Sequence, residues 1–82
     1  MTKIVALHWK EFEKFLFAQG CTFKREKGDH RIYTKSGVLR PLVVPRRGAL
    51  PTFIILNNLR TLGISREEYL ISIEAILKPK KK

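Results

Sequence analysis

Residues 21–44 read CTFKREKGDHRIYTKSGVLRPLVV, and the reading of this stretch decides the fold. Cys21-Thr22-Phe23-Lys24-Arg25 is rich in β-formers and alternates, as a half-buried strand does. Gly28-Asp29 interrupts the pattern with turn residues. His30–Lys35 (HRIYTK) then reads as a second strand, and Ser36-Gly37 marks a hairpin turn. Val38–Val44 reads as a third strand. Pro41 lies inside it and has no N–H for a ladder, so this strand belongs at an edge or carries a bulge. Strands joined by turns this tight form an antiparallel meander, which must bury one face.

The flanks supply what covers that face. Trp9, Phe12, Phe15 and Leu16 recur at helical spacing between about residues 8 and 19, and Gly20 is a stop signal. This stripe is core, with His8 at the helix start. Pro45-Arg46-Arg47-Gly48-Ala49-Leu50-Pro51 reads as a basic loop. A helix follows over roughly 52–62, with Thr52 as candidate N-cap and Gly63 as stop. Ser65-Arg66-Glu67-Glu68 has the form of a capping box. It opens a last helix whose apolar face is Tyr69, Leu70, Ile73, Ile76 and Leu77. Tyr33 and Tyr69 read as packing residues. Lys78-Pro79-Lys80 ends the helix and leaves a basic, flexible tail over 78–82. The expected class is α+β, in the order α-β-β-β-α with a further C-terminal helix. At 82 residues the whole chain, 1–82, reads as one domain.

Composition limits the function. The single cysteine, Cys21, excludes an internal disulfide and a cysteine-cluster zinc site. Two scattered histidines and few acids suggest no metal cluster and no cofactor. Met1–Leu7 resembles the start of a signal peptide, but Lys10 and Glu11 cut the apolar stretch short. No run approaches the roughly 18 apolar residues of a membrane span. The reading is a soluble, cytoplasmic protein without a membrane partner. Seventeen Lys and Arg against seven Asp and Glu give a net charge of +10. The excess is concentrated. Residues 21–60 hold nine cations and two acids, and the tail adds four lysines. That is the footprint of a polyanion binder, with nucleic acid the default polyanion. A basic module for an acidic protein or a membrane surface is the lesser alternative.

His30 sits between the Gly-Asp turn and the second strand. Alternation along the strand puts it on one face with Ile32 and Thr34, outward if Tyr33 faces the helices and inward if Ile32 does. The polar residues before it favour an exposed position. There a histidine suits proton transfer near neutral pH, and RNA carries its own nucleophile in the 2′-OH. Neighbouring cations can hold phosphate and stabilise charge developing on it. Lys24, Lys27, Arg31, Lys35, Arg46 and Arg47 are the candidates for RNA contact, and Lys24 or Lys35 for a general acid. On composition alone, RNA binding without catalysis reads better than cleavage.

Four segments, in order, resemble the HicA family of bacterial toxins, over roughly residues 9–70. They are Gln19-Gly20-Cys21-Thr22-Phe23, then Lys27-Gly28-Asp29-His30-Arg31-Ile32-Tyr33, then Val43-Val44-Pro45-Arg46-Arg47-Gly48, and Leu59–Tyr69. The second is similar to the family's Gly-Ser-His-x-x-aromatic signature, with Asp29 where serine is usual. The resemblance implies a double-stranded-RNA-binding-domain-like fold. It implies metal-independent, endoribonucleolytic cleavage of mRNA, with His30 in the essential role. It also implies neutralisation by a HicB-type antitoxin that covers the active site.

Overall fold

The computed structural model of the chain describes residue 4 and residues 6–77. Strand β1 (Leu7–His8) leads directly into helix α1 (Trp9–Ala18). His8 caps the helix: its Nδ1 accepts the backbone N–H of Lys10 at 3.2 Å. Phe12, Phe15 and Leu16 lie three to four residues apart and are all fully buried, as the periodicity predicts. The helix closes at Gln19, and Gly20 turns the chain away with φ +90.

The expected meander forms as β2 (Thr22–Lys27), β3 (His30–Lys35) and β4 (Val38–Pro45), in the order β2-β3-β4. The chain is α+β, and its helix, three-stranded antiparallel sheet and closing helices have the double-stranded-RNA-binding-domain-like order. Strand β2 runs two residues past Arg25. The Gly28-Asp29 turn is tight enough for Lys27 and His30 to pair directly. Gly28 carries φ +61 while Asp29 stays at negative φ, the pattern of a II′ turn. Pro41 sits where both of its allowed settings coincide. Strand β4 is an edge, and its register with β3 shifts between Tyr33 and Lys35.

Two local expectations need correction. The segment read as an unbroken basic loop contains β5 (Ala49–Leu50), which pairs antiparallel with β1 through Leu7↔Leu50 and His8↔Ala49. Two residues are too few to show a period of two, so only long-range pairing creates this ladder. Helix α2 (Thr52–Leu62) takes Pro51 as its N-cap, with no side-chain cap bond, and Thr52 is its first residue. Pro51 has φ −66 and ψ 157, extended geometry that its ring favours.

Helix α2 ends at Gly63, in the left-handed region at φ +74. The capping box then forms as expected: Ser65 N–H donates to Glu68 Oε1 at 3.1 Å, and Glu68 N–H donates to Ser65 Oγ at 3.0 Å. It opens helix α3 (Arg66–Leu77). Tyr69 and Ile73 are buried, whereas Leu77 is exposed. The tail expected over 78–82 lies outside the described residues.

Helices α1 and α3 meet through Phe12, Phe15 and Tyr69, with the Phe15 and Tyr69 rings edge-on at 5.0 Å. The core continues into Tyr33, Leu42 and Val44 of the sheet and Ile55 and Leu59 of α2. Each such side chain contributes about 1.5–3 kcal/mol by leaving water. Asn58 of α2 is buried, and its amide donates to Ile54 O at 3.0 Å and Val43 O at 3.4 Å. It thereby covers part of the β4 edge that would otherwise offer a free carbonyl. On the opposite face of the sheet, His30 and Lys27 are both exposed.

Candidate active site

Strand register decides which side chains share that open face. Tyr33 is fully buried and its hydroxyl donates to Glu13 of α1, so residues 31, 33 and 35 face the helix. His30, Ile32 and Thr34 therefore face out. Directly opposed residues share a face. His30 pairs with Lys27 and Pro45, and Ile32 pairs with Arg25 and Val43. The open face near His30 is thus Lys27–His30–Pro45 beside Arg25–Ile32–Val43.

His30 is about half exposed, at 48% of its side chain, and its Nδ1 lies 3.3 Å from Asp29 Oδ1. In the tautomer that carries its proton on Nδ1, this carboxylate faces the N–H and Nε2 is the acceptor. The second oxygen, Oδ2, lies 3.2 Å from Arg47 Nε. The backbone N–H of Arg46 donates to the carbonyl of Asp29. One aspartate thus joins the β2–β3 turn, the histidine and the basic segment after β4.

Beneath the sheet a second network holds the same segment. Arg31 NH1 donates to Glu26 Oε1 at 2.9 Å, and Arg46 Nε donates to Glu26 Oε2 at 2.9 Å. Arg31 also meets Glu13 and lies over the Phe23 ring at 4.1 Å. Burial, and the bond donated to Glu13, push the Tyr33 phenol well above its usual range, so it stays a neutral donor. Cys21 is buried and burial raises its thiol, which suits it to packing rather than to nucleophilic chemistry. Among the described residues no three His, Cys, Asp or Glu side chains gather to hold a metal ion.

The chain matches the family described as the HicA toxin of bacterial toxin–antitoxin systems over residues 9–64. The chain belongs to the HicA toxin family. The matched span holds α1, the whole sheet, α2, His30 and every cation named above as a candidate. No curated protein matches the chain. Membership makes the chain a toxin of a toxin–antitoxin system, in a family of nucleases. No helix among the described residues is long and apolar enough to cross a membrane.

The candidate residues of this HicA chain fall into separate groups. Lys27 pairs with His30 across the strands and Arg47 meets its neighbour Asp29, whereas Arg46 approaches by its backbone and keeps its guanidinium on Glu26 beneath the sheet. Lys35 is at the other end of β3, about 17 Å away at the rise of an antiparallel strand. Lys24 occupies a bulge, where the register shifts between Phe23 and Arg25. Arg31 faces inward with 21% of its side chain exposed and two carboxylates on it. Arg25, which the sequence did not single out, shares the open face with Lys27. Simple alternation from the inward Phe23 would have turned Arg25 and Lys27 inward and Glu26 outward. The bulge reverses that, and nothing local in Phe23-Lys24-Arg25 announces it.

Proposed function

We propose that this HicA-family chain is an mRNA-cleaving endoribonuclease in which His30 is the general base. The observation that supports this best is His30 on the open sheet face, with Nδ1 beside Asp29 and Nε2 directed to no protein partner among the described residues. Its neighbours Lys27 and Arg25 have no carboxylate partner among the described residues.

In the reaction, Nε2 takes the proton of a ribose 2′-OH. The oxygen attacks the adjacent phosphorus, the O2′–P bond forms and the P–O5′ bond breaks. The 5′ oxygen leaves with a proton from water, giving a 2′,3′-cyclic phosphate and a 5′-hydroxyl. RNA supplies the nucleophile and His30 the base, so the chemistry needs no metal. Lys27 and Arg47 hold the reacting phosphate and balance its growing charge, and Arg46 contacts the strand beside them once it leaves Glu26. The ion pair between Arg47 and Asp29 is 72% and 45% exposed. Such pairs hold about 0–1 kcal/mol, so a phosphate can recruit Arg47 readily. Lys24 and Lys35 contact the strand further along. Arg31 acts from beneath, by holding Glu26 and through it Arg46.

The chain functions as one domain in the cytoplasm, where its mRNA substrate is found. A HicB-type antitoxin neutralises it by covering His30 and its cations.

The test is induced expression of the wild type and of His30→Ala in a bacterial host, with growth and mRNA integrity followed together. Arrest and mRNA loss with the wild type alone support the assignment. An equally toxic His30→Ala removes His30 from the chemistry. Healthy cells and intact mRNA with both proteins mark a non-catalytic RNA-binding member of the family.

A further inference from the structure

A cleft of about 790 Å³ opens between the β3–β4 turn and the C-terminal half of α2. Gly37, Leu39 and Arg40 line one side, and Asn57, Arg60 and Thr61 the other. It stands at the Lys35 end of the sheet, away from His30.

Its charge is one-sided. No acidic residue lines it. All seven carboxylate side chains of the sequence fall within the described residues, and none of them pairs with Arg40 or Arg60. The arginines near His30 differ in this respect, since Arg31, Arg46 and Arg47 each have a carboxylate. Two exposed guanidinium groups in one cleft repel each other unless an anion joins them. A guanidinium presents a planar fork that fits phosphate in two bonds. Leu39 is fully solvent-exposed on the lip and offers an apolar surface to a base. The Asn57 side chain makes no hydrogen bond among the described residues, and Thr61 spends its hydroxyl proton on Asn57 O at 3.2 Å. Asn57 is thus available to a ribose or a base edge.

We propose that this cleft is a second RNA-binding site, which grips the phosphodiester backbone of the substrate strand several nucleotides away from the bond cut at His30. The inference rests on the ribonuclease reading. Strand register sets Arg40 between the levels of Tyr33 and Lys35, so the two sites are about 10–17 Å apart along the sheet. That span corresponds to about three to five stacked nucleotides at 3.4 Å each, and fewer when the strand is stretched. The cleft therefore acts only on RNA long enough to reach it, and it raises affinity without touching the chemistry.

The test compares Arg40→Ala/Arg60→Ala with its parent on two single-stranded RNAs, a 4-mer and a 16-mer. In cleavage, KM for the 16-mer rises about tenfold with kcat unchanged, and kcat/KM for the 4-mer is unchanged. In binding, both variants are placed in the His30→Ala protein so that the RNA stays intact. The log–log salt slope for the 16-mer then falls by about 1.4, for two phosphates at ~0.7 each on a single strand. Arg40→Lys/Arg60→Lys restores the slope, which a folding defect would not allow. If His30→Ala binds no RNA at all, the ribonuclease reading fails and this one with it. If it binds the 16-mer with the same affinity and slope whether or not the two arginines are present, only the cleft assignment is overturned. An acidic protein segment then becomes the better occupant.

Discussion

Arg31 on β3 and Glu13 on α1 are joined twice at one oxygen, with Nε and the NH2 nitrogen of Arg31 both 2.9 Å from Glu13 Oε2. Tyr33 donates to the same oxygen. The carboxylate therefore fastens the helix to the sheet, and Glu26 carries the connection on to Arg46.

Removing one member strands the others. Arg31→Ala leaves Glu13 with the Tyr33 bond alone, in a site where both partners are largely covered, and takes the guanidinium off the Phe23 ring. Loss of a partner from a buried pair costs about 3–5 kcal/mol. This pair keeps some solvent, so about 2–3 kcal/mol is expected. Urea denaturation on the His30→Ala background reads it directly. A loss below about 0.5 kcal/mol would show that the network is incidental.

Asp29 is about half exposed, so its replacement leaves the fold intact. Asp29→Asn is expected to change stability by less than about 0.5 kcal/mol. The amide removes the carboxylate that lies beside His30 Nδ1, and kcat is expected to fall about 10–100-fold, as for partners that orient other functional histidines. Single-turnover cleavage separates this from binding. An unchanged rate would reduce Asp29 to a turn residue.

Arg25 and Lys27 are expected to hold phosphate. Each alanine variant reduces affinity for all RNA sequences alike and lowers the salt slope by about 0.7. Titrations of His30→Ala protein across a salt series measure it. A sequence-selective loss would instead assign the residue to a base.

Tyr69 is buried, and that burial pushes its phenol up to about 12 from an ordinary 10.0. The folded state therefore keeps a proton that the unfolded chain gives up. Tyr69 contributes its full stability below pH 10, and this is lost as the pH rises through about 12. Tyr69→Phe is expected to unfold less steeply between those values, by near-neutral reference and alkaline urea midpoints. Identical slopes for the two proteins would mean that the phenol is hydrated.

Local patterns made much of the fold legible. Phe12, Phe15 and Leu16 announced α1 by spacing, Gly20 and Gly63 announced helix ends, and Ser65 with Glu68 announced α3. Each is a signal between residues a few positions apart, where one turn of helix or one backbone angle settles the matter. The family was legible too, through Gly28-Asp29-His30 and the segments around it.

What the sequence determined alone was the order of elements, the surplus of positive charge and the family to which the chain belongs. The tertiary structure decided which charges work together. Glu13 and Arg31 are 18 positions apart, and Arg46 and Glu26 are 20, so no window along the chain could pair them. The bulge at Lys24 turned Arg25 and Lys27 to the open face and Glu26 inward. Side-chain parity in a strand is a property of register, and register is fixed by the neighbouring strand and the core beneath it.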